Sequence, residues 1–299
     1  VVTGVQTCAL PISKAGGDYF FINRSLGPFV GTVSGILSWF ALSLKTAFAV
    51  FGISQVLFIL FKVPFFVTAG IVCVFFGALN IAGIKKSGKV EVWLVTALFI
   101  CIGAYLAAGM RNVQEDKFLP FATAGMNGII STAGFVFISF GGLLKVASVS
   151  EEVRDPARNI PMGILGAVAS VSAVYALILF ITVGGGEKEI LSGSTTPIAD
   201  TARLFMGEPG FLVITVAAML AFITTANAGI MAASRYPLAL SRDKLFPGYI
   251  GRVNSRFNTP HIAIVLTGAV IFGVLFMDLE LLVKSGSVVV LASYILSNL

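Results

Sequence analysis

A pair of adjacent glycines, Gly141 and Gly142, interrupts an apolar run that is long enough to cross a membrane. Glycine weakens a helix at this point because it loses more backbone freedom on folding than other residues. A helix broken inside a bilayer leaves backbone groups unpaired, and these are tolerated only where they face protein or a water-filled cavity. The free carbonyls at the end of a half-helix attract a cation. The pair therefore predicts a binding site for a cationic group or, alternatively, a packing kink.

Lys45, Lys145 and Lys284 lie in or beside predicted membrane helices, and no Asp or Glu lies deep in any of these helices. Lys45 is in the middle of an apolar run, and Lys145 lies one turn beyond the glycine pair. A lysine at the bilayer centre costs about 2.5 to 3.5 kcal/mol on insertion scales, so each should face the protein interior. There the ammonium could replace a coupling cation, with carbonyls, water or a substrate carboxylate as partners. Alternatively, the long side chain extends to the membrane surface.

The elements that must position these residues are membrane-spanning helices. The chain of 299 residues is 57% hydrophobic and 11% charged, which is far more apolar than a soluble domain of this length. A helix of about 20 apolar residues crosses a bilayer, and runs of this kind recur along the chain. The predicted spans are residues 31–60, 64–84, 92–110, 128–149, 164–183, 211–233, 262–277 and from 282 onward. The predicted fold class is an all-α polytopic membrane protein.

The net charge of +6 is explained by membrane orientation rather than by nucleic-acid binding. Sorting the Lys and Arg residues by loop gives twelve on one side of the membrane and five on the other. The richer side is predicted to be cytoplasmic. The long loop 184–210 is then extracytoplasmic. Its sequence fits either a short re-entrant or surface helix capped near Thr195 or Thr196, or an unstructured surface loop.

A glycine repeat lies at the start of the first complete span. Gly27, Gly31 and Gly35 recur at intervals of four residues, so they share one face of the helix. This pattern predicts a ridge without side chains on which another helix packs closely.

Both ends of the sequence are unusual. Residues 1–13 read as the translation of a sequencing adapter and are set aside as an artefact, which leaves residues 14–299 as a partial transmembrane domain. The last apolar run is unfinished at Leu299, so the natural protein is expected to be longer.

The sequence gives no support to an enzyme. Residues 83–89 match the first seven positions of a phosphate-binding loop, but Val90 stands where a hydroxyl ligand of magnesium is needed. His261 is the single histidine, and Cys73 and Cys101 are the only cysteines beyond residue 13. These are too few for a zinc site, and no catalytic triad or carboxylate pair can be assembled within a span. No catalytic residue, metal or cofactor is expected, apart from H⁺ or Na⁺ as a coupling ion.

Three loop motifs resemble those of amino acid permeases of the amino acid-polyamine-organocation (APC) superfamily. Residues 15–28 (AGGDYFFINRSLGP) resemble the cytoplasmic loop between the second and third helices of that family. Residues 151–161 (EEVRDPARNIP) resemble the loop after the sixth helix, and 234–247 (SRYPLALSRDKLFP) the loop after the eighth. The order and spacing agree, and the match covers nearly the whole chain from Lys14.

The resemblance implies a transporter core of two inverted five-helix repeats with discontinuous first and sixth helices. This chain would extend from the end of helix two into helix ten, so helix one and the C-terminal helices are missing. In the family, carbonyls at the break in helix six receive the substrate amino group. The matching positions are Ile138, Ser139, Phe140, Gly141 and Gly142.

The resemblance also implies a gate and an ion site. Thr224 and Thr225 match the helix-eight region where sodium-coupled members place hydroxyl ligands, although threonines in helices also bond to their own backbone. Glu151 and Glu152 lie at the end of helix six, where the helix dipole disfavours negative charge. Because of this dipole they are predicted to pair with cations as a cytoplasmic gate, namely Arg235 at the end of helix eight and Arg154 or Arg158 nearby.

The expected function is secondary active transport of amino acids across the cell membrane by alternating access, proton-coupled or by exchange. Leu144 stands where members often have an acidic residue, which favours neutral, apolar amino acids over arginine or polyamines. The expected partners are an amino acid and the lipid bilayer, without nucleic acid, and the oligomeric state stays open.

Two alternative functions remain. One is a cation-chloride cotransporter, because residues 19–28 also resemble the corresponding loop of those proteins. The other is a nutrient sensor with the transporter fold. The glutamate pair at 151–152 argues against the cotransporter.

Overall fold

The computed structural model describes residues 17–119, 125–139, 153–194 and 196–297. These residues form two compact units, and the regular structure of both is helical. The first unit contains the described residues up to 91 and those of 138–164 and 222–297. The second contains those of 92–137 and 165–221.

The helices are numbered in chain order, and two short 3-10 turns, Met110–Asn112 and Glu115–Phe118, follow the fourth. The α-helices are α1 (Asp18–Ser25), α2 (Gly27–Phe61), α3 (Phe65–Ile81), α4 (Ile84–Gly109), α5 (Gly125–Ser139), α6 (Pro156–Gly185), α7 (Lys188–Gly193), α8 (Pro197–Ala233), α9 (Arg235–Arg242), α10 (His261–Val274) and α11 (Leu279–Ser297).

The apolar helices confirm the prediction of an all-helical polytopic membrane protein. Four segments are long and apolar enough to cross a bilayer: Gly27–Phe58, Val92–Asn112, Ala157–Gly185 and Pro197–Arg242. Three shorter apolar segments, Phe65–Ile81, His261–Val274 and Lys284–Leu296, coincide with further predicted spans. The predicted span 128–149 is described only as far as Ser139. Helices α6 and α8 begin well before their predicted apolar cores, each with a proline in the first turn, where its missing N–H is not needed.

Helix α2 is the central element of the first unit. Helices α1, α3, α9, α10 and α11 all pack against it. Small side chains permit this crowding because they let helix backbones approach closely. The fully or almost fully buried small residues of α2 include Ser34, Ser38, Ala41, Ser43, Ala47 and Ala49.

The predicted glycine ridge on α2 is confirmed at two of its three positions, and the helix that packs on it is α1. A Cβ atom on Gly31 would lie 2.6 Å from the Cα of Asn23, and one on Gly35 would lie 2.9 Å from the ring of Tyr19. Gly27 has no such neighbour, but its φ of +87° suits the turn that starts α2. Helix α1 therefore rests directly on the backbone of α2.

Tyr19 fastens α1 to the loop after α9. Its side chain is fully buried, and its hydroxyl donates a 2.6 Å hydrogen bond to Oδ2 of Asp243. Burial and the neighbouring carboxylate raise the pKa of Tyr19 above its usual range, so the hydroxyl keeps its proton. This contact joins two of the loop motifs identified in the sequence, residues 15–28 and 234–247.

Two glycines allow the second half of α8 to cross α2 closely within the first unit. A Cβ on Gly52 would lie 2.6 Å from the ring of Phe222. A Cβ on Gly229 would overlap the side chain of Thr46, whose hydroxyl is fixed by a 2.6 Å hydrogen bond to the carbonyl of Leu42. The crossing therefore depends on Gly229 lacking a side chain.

The second unit has its own buried core at one end of α4 and α6. Its buried members are Tyr105, Ile181, Ala199, Ala202 and Ile214. The hydroxyls of Tyr105 and Thr182 share a 2.8 Å hydrogen bond, which pairs the polar groups of α4 and α6 inside this core.

The loop 184–210 contains a helix, as the first of the two alternatives predicts. Helix α7 lies within the loop, and α8 begins directly after Thr196, whose hydroxyl donates a 3.0 Å hydrogen bond to Asp200; Thr195 lies outside the described residues. Helix α8 then breaks at Gly207, where φ is 68° and ψ is −160°. Arg203 spans this break: its Nε lies 2.9 Å from Glu208 and its guanidinium 4.0 Å from the centre of the Phe211 ring.

The α2–α8 crossing can be tested with matched glycine substitutions. Gly229→Ala should lower the free energy of unfolding by about 1–3 kcal/mol, because the new methyl group overlaps Thr46. Gly268→Ala is the control: its Cβ would meet no atom within 4 Å, and alanine favours a helix over glycine by about 1 kcal/mol. Thermal unfolding of the purified protein in detergent measures both. Equal shifts in the two variants would contradict the close crossing.

Candidate functional site

The residues predicted to bind substrate lie at the edge of the described structure. Ile138 and Ser139 are the last described residues of α5. The other predicted residues of this region lie outside the described residues: Phe140, Gly141, Gly142, Lys145, Glu151 and Glu152. The helix break and the acidic half of the gate therefore stay predictions.

The remaining predicted residues all belong to the first unit. Lys45 is half-buried in the middle of α2. On α8, Thr224 is buried and Thr225 is half-buried. Arg235 begins α9 and is only 8% exposed. Lys45 and the two threonines thus lie on the two helices that cross at Gly229.

A pair of buried asparagines joins α3 to α8 inside the first unit. Nδ2 of Asn80 donates hydrogen bonds to Oδ1 of Asn227, at 3.1 Å, and to the carbonyl of Phe76, at 2.9 Å. Both asparagines are 1% exposed. Hydrogen bonds between membrane helices contribute about 0.6 to 2 kcal/mol each. Sequence reasoning missed this pair, although a single asparagine in the apolar run of α3 was a usable signal.

Asn80 also lines a narrow polar cleft at the adjoining ends of α3 and α8. The cleft is lined by Asn80, Met231, Ser234, Arg235, Thr259, Pro260 and Ile264. Thr259 closes it against α3 by donating a 2.8 Å hydrogen bond to the carbonyl of Ile81. Oδ1 of Asn80 is buried and has no hydrogen-bond partner within the part of the chain that the structure describes. An unsatisfied acceptor and the buried residue Arg235 therefore both line this cleft.

The charge of Arg235 determines what this cleft can do. A guanidinium remains protonated at any physiological pH, and a buried one is stable only when it is hydrogen-bonded or paired with an anion. Arg235 already interacts with other groups of the protein, and its fixed positive charge disfavours a cation or a metal ion in this cleft. The described residues contain no group of three or more His, Cys, Asp or Glu that could hold a metal ion.

A third side-chain contact fixes α2 to α10. Nε1 of Trp39 donates a buried 3.1 Å hydrogen bond to the hydroxyl of Thr267. Together with the bonds from Tyr19 and Asn80, it ties the helices around Arg235 to one another. The candidate gate residue therefore lies in a well-connected part of the first unit.

Comparison with known proteins identifies relatives of the chain. The sequence model of a family described as amino acid permease matches residues 6–299. An uncharacterised transporter of Mycobacterium tuberculosis is 29% identical over 259 residues, which are 86% of this chain and 58% of that protein. The methylthioribose transporter of Bacillus subtilis is 30% identical over 207 residues, 69% of this chain and 44% of that protein.

A branched-chain amino acid permease of Bacillus subtilis is 27% identical over 206 residues, 69% of this chain and 43% of that protein. The chain thus spans less than two thirds of the length of these curated relatives.

The asparagine pair can be tested with a double-mutant cycle. Asn80→Ala and Asn227→Ala should each lower the free energy of unfolding, and the double variant should lose about 0.6 to 2 kcal/mol less than the sum. Asn112→Ala is the control, because Asn112 is exposed and its side-chain amide donates to the nearby carbonyl of Ala108, at the end of the preceding helix α4. Denaturation in detergent gives these values. Strict additivity of the two substitutions would exclude the interaction.

The gate can be tested by exchanging charges in the full-length protein. Arg235→Glu should abolish most transport, because in the predicted gate it would place an anion beside Glu151 and Glu152. Adding Glu152→Arg should restore part of it. Arg111→Glu, an exposed site in the second unit, controls for the change in net charge, and membrane abundance of each variant is measured in parallel. Normal transport by the Arg235→Glu variant would show that no gate depends on this arginine.

Proposed function

The chain belongs to the amino acid permease family, and on this premise we propose that the full-length protein is a secondary active transporter of amino acids. The observation that carries the proposal is the match of the family model over residues 6–299. The family consists of transporters rather than enzymes. Together with the apolar helices of this chain, family membership makes the chain a multi-pass protein of the plasma membrane.

The proposed mechanism is alternating access around discontinuous helices of two inverted repeats. Carbonyls at positions 138–142 would receive the substrate amino group, since the negative end of a half-helix attracts a cation. The contacts in the first unit support a rigid frame for such motion. Buried side-chain hydrogen bonds link α2 to α10, and α3 to the second half of α8. In this mechanism Arg235 holds the gate carboxylates of residues 151 and 152.

The proposed substrates are neutral, apolar amino acids. Leu144 provides no carboxylate for a second cationic group on the substrate, and the similarity to a branched-chain amino acid permease agrees with this choice. Methylthioribose is a second candidate, because a protein named as its transporter is 30% identical to this chain. The relatives described above lend no support to a chloride cotransporter or a sensor.

Coupling to protons, or exchange of one substrate for another, is proposed in preference to sodium coupling. Lys45 supplies an intramembrane ammonium on α2, which could take the place of a coupling cation. Sodium would instead need the hydroxyls of Thr224 and Thr225, which lie on α8.

Uptake by proteoliposomes containing the full-length protein tests the substrate and its site together. Saturable uptake of leucine, but not of arginine, is expected. Gly141→Leu should abolish leucine binding, because it adds a side chain where the substrate approaches the backbone and favours continuous helix. Gly77→Leu is the matched control, since a Cβ on Gly77 would meet no atom within 4 Å.

The outcomes separate the proposals. Unchanged leucine affinity in the Gly141→Leu variant would remove the glycine pair from the site. Saturable uptake of methylthioribose without uptake of any amino acid would establish the second candidate instead.

A further inference from the structure

The last residue of α9 and the loop that follows it carry a concentration of exposed positive charge, and this segment, residues 242–259, is called the basic loop. It exposes four cations: Arg242, Lys244, Arg252 and Arg256. Asp243 is its only acidic residue, and one oxygen of Asp243 is already bonded to Tyr19 of α1. No ion pair connects the four cations to a carboxylate within the ranges that the structure describes. The basic loop therefore presents positive charge that the protein itself leaves largely unneutralised.

Large apolar side chains lie among these cations and are exposed as well. Leu245 is 41% exposed, Tyr249 55%, Val253 43% and Phe257 38%. Exposed aliphatic and aromatic side chains interspersed with Lys and Arg are typical of protein surfaces in the headgroup layer of a membrane. There the apolar groups enter the acyl boundary while the cations meet phosphates. A surface that bound only soluble anions would have no use for the apolar groups.

Hydrogen bonds hold the basic loop in one shape. The hydroxyl of Ser241 donates to the carbonyl of Pro247 and accepts from the backbone N–H of Gly251, both at 2.9 Å. The backbone N–H of Asn254 donates to the carbonyl of Thr259, also at 2.9 Å. The backbone that carries its side chains is therefore already arranged before any partner binds, which lowers the entropic penalty of binding.

The position of the basic loop identifies the chemistry of its partner. One apolar segment ends at Arg242 and the next begins at His261, so the loop lies where helices leave the membrane. Thr259 also bonds to the end of α3, which keeps the loop close to the helix ends. Clusters of four or more Lys and Arg directly beside a membrane helix bind anionic lipids, and guanidinium groups bind phosphate oxygens in pairs.

We propose that the basic loop is a docking surface for the phosphate headgroups of anionic phospholipids. Its cations bind the phosphates, and its exposed apolar side chains insert beside the acyl chains. The cations and exposed apolar side chains of this surface are not among the predicted substrate-binding or gate residues, so the proposal does not depend on which solute is transported.

The experiment compares phosphatidylglycerol with phosphatidylcholine binding to the purified full-length protein by native mass spectrometry. We expect preferential retention of phosphatidylglycerol. Each Lys or Arg near an anionic surface strengthens binding by about fivefold, so Arg252→Gln with Arg256→Gln should weaken phosphatidylglycerol binding by about 25-fold. Arg111→Gln with Lys188→Gln, at two exposed sites of the second unit, removes the same charge and should leave lipid binding unchanged.

A second variant distinguishes lipid from a soluble anion. Tyr249→Ser with Phe257→Ser should weaken phosphatidylglycerol binding several-fold but leave binding of glycerol 3-phosphate, a soluble headgroup analogue, unchanged. The proposal is overturned by equal losses in the two charge variants, by unchanged lipid binding in the basic-loop variant, or by glycerol 3-phosphate binding as tightly as the lipid. All substituted side chains are exposed, so thermal unfolding should be unaffected and serves as the folding control.

Discussion

Polar groups in a bilayer have no water to bond with, and this constraint organises the first unit of the structure. Two side-chain hydrogen bonds satisfy it between apolar helices that are distant in sequence: Trp39 bonds to Thr267, and Asn80 bonds to Asn227. A third, from Tyr19 to the carboxylate of Asp243, joins α1 to the loop after α9 outside the apolar helices. Because each of these groups would be costly to bury alone, each bond also specifies which helices must be neighbours.

Close backbone packing supplies the second part of the organisation. Apolar side chains cannot distinguish one helix from another when lipid is equally apolar, so shape must decide which helices associate. Gly31 and Gly35 admit α1 onto α2, and Gly229 admits Thr46 at the crossing with α8. Helix α2 therefore receives α1 on its own backbone at Gly31 and Gly35, and it meets α8 where the α8 backbone has no side chain at Gly229. Its central position follows from its composition as much as from its length.

The sequence predicted the helical elements well, because a membrane span needs a fixed length of apolar residues and hydropathy measures that length directly. It also predicted the family and the ridge at Gly31 and Gly35, and it gave a helix in the loop 184–210 as one of two alternatives. It failed to predict Asn80–Asn227, since a pairing 147 residues apart depends on tertiary neighbours and not on local pattern. Hydropathy predicted an apolar span from residue 211, whereas α8 begins at Pro197. The difference arises because polar residues at the start of a helix extend it without raising its mean hydropathy. Of the candidate site, Lys45, Thr224 and Arg235 can now be placed on helices, whereas the glycine pair rests on motif spacing alone.

The bond between Tyr19 and Asp243 also has a consequence for biosynthesis. The two residues are 224 positions apart, so α1 leaves the ribosome long before its acceptor exists. At about 5–20 residues per second, this delay lasts roughly 10–45 s. During that time the phenol that will be buried must be sheltered by local contacts with α2 alone. The glycine ridge of α2 can bury part of the Tyr19 side chain early. The loop after α9 completes the burial once it has been synthesised. The contacts around Tyr19 therefore form in the order in which the chain is translated.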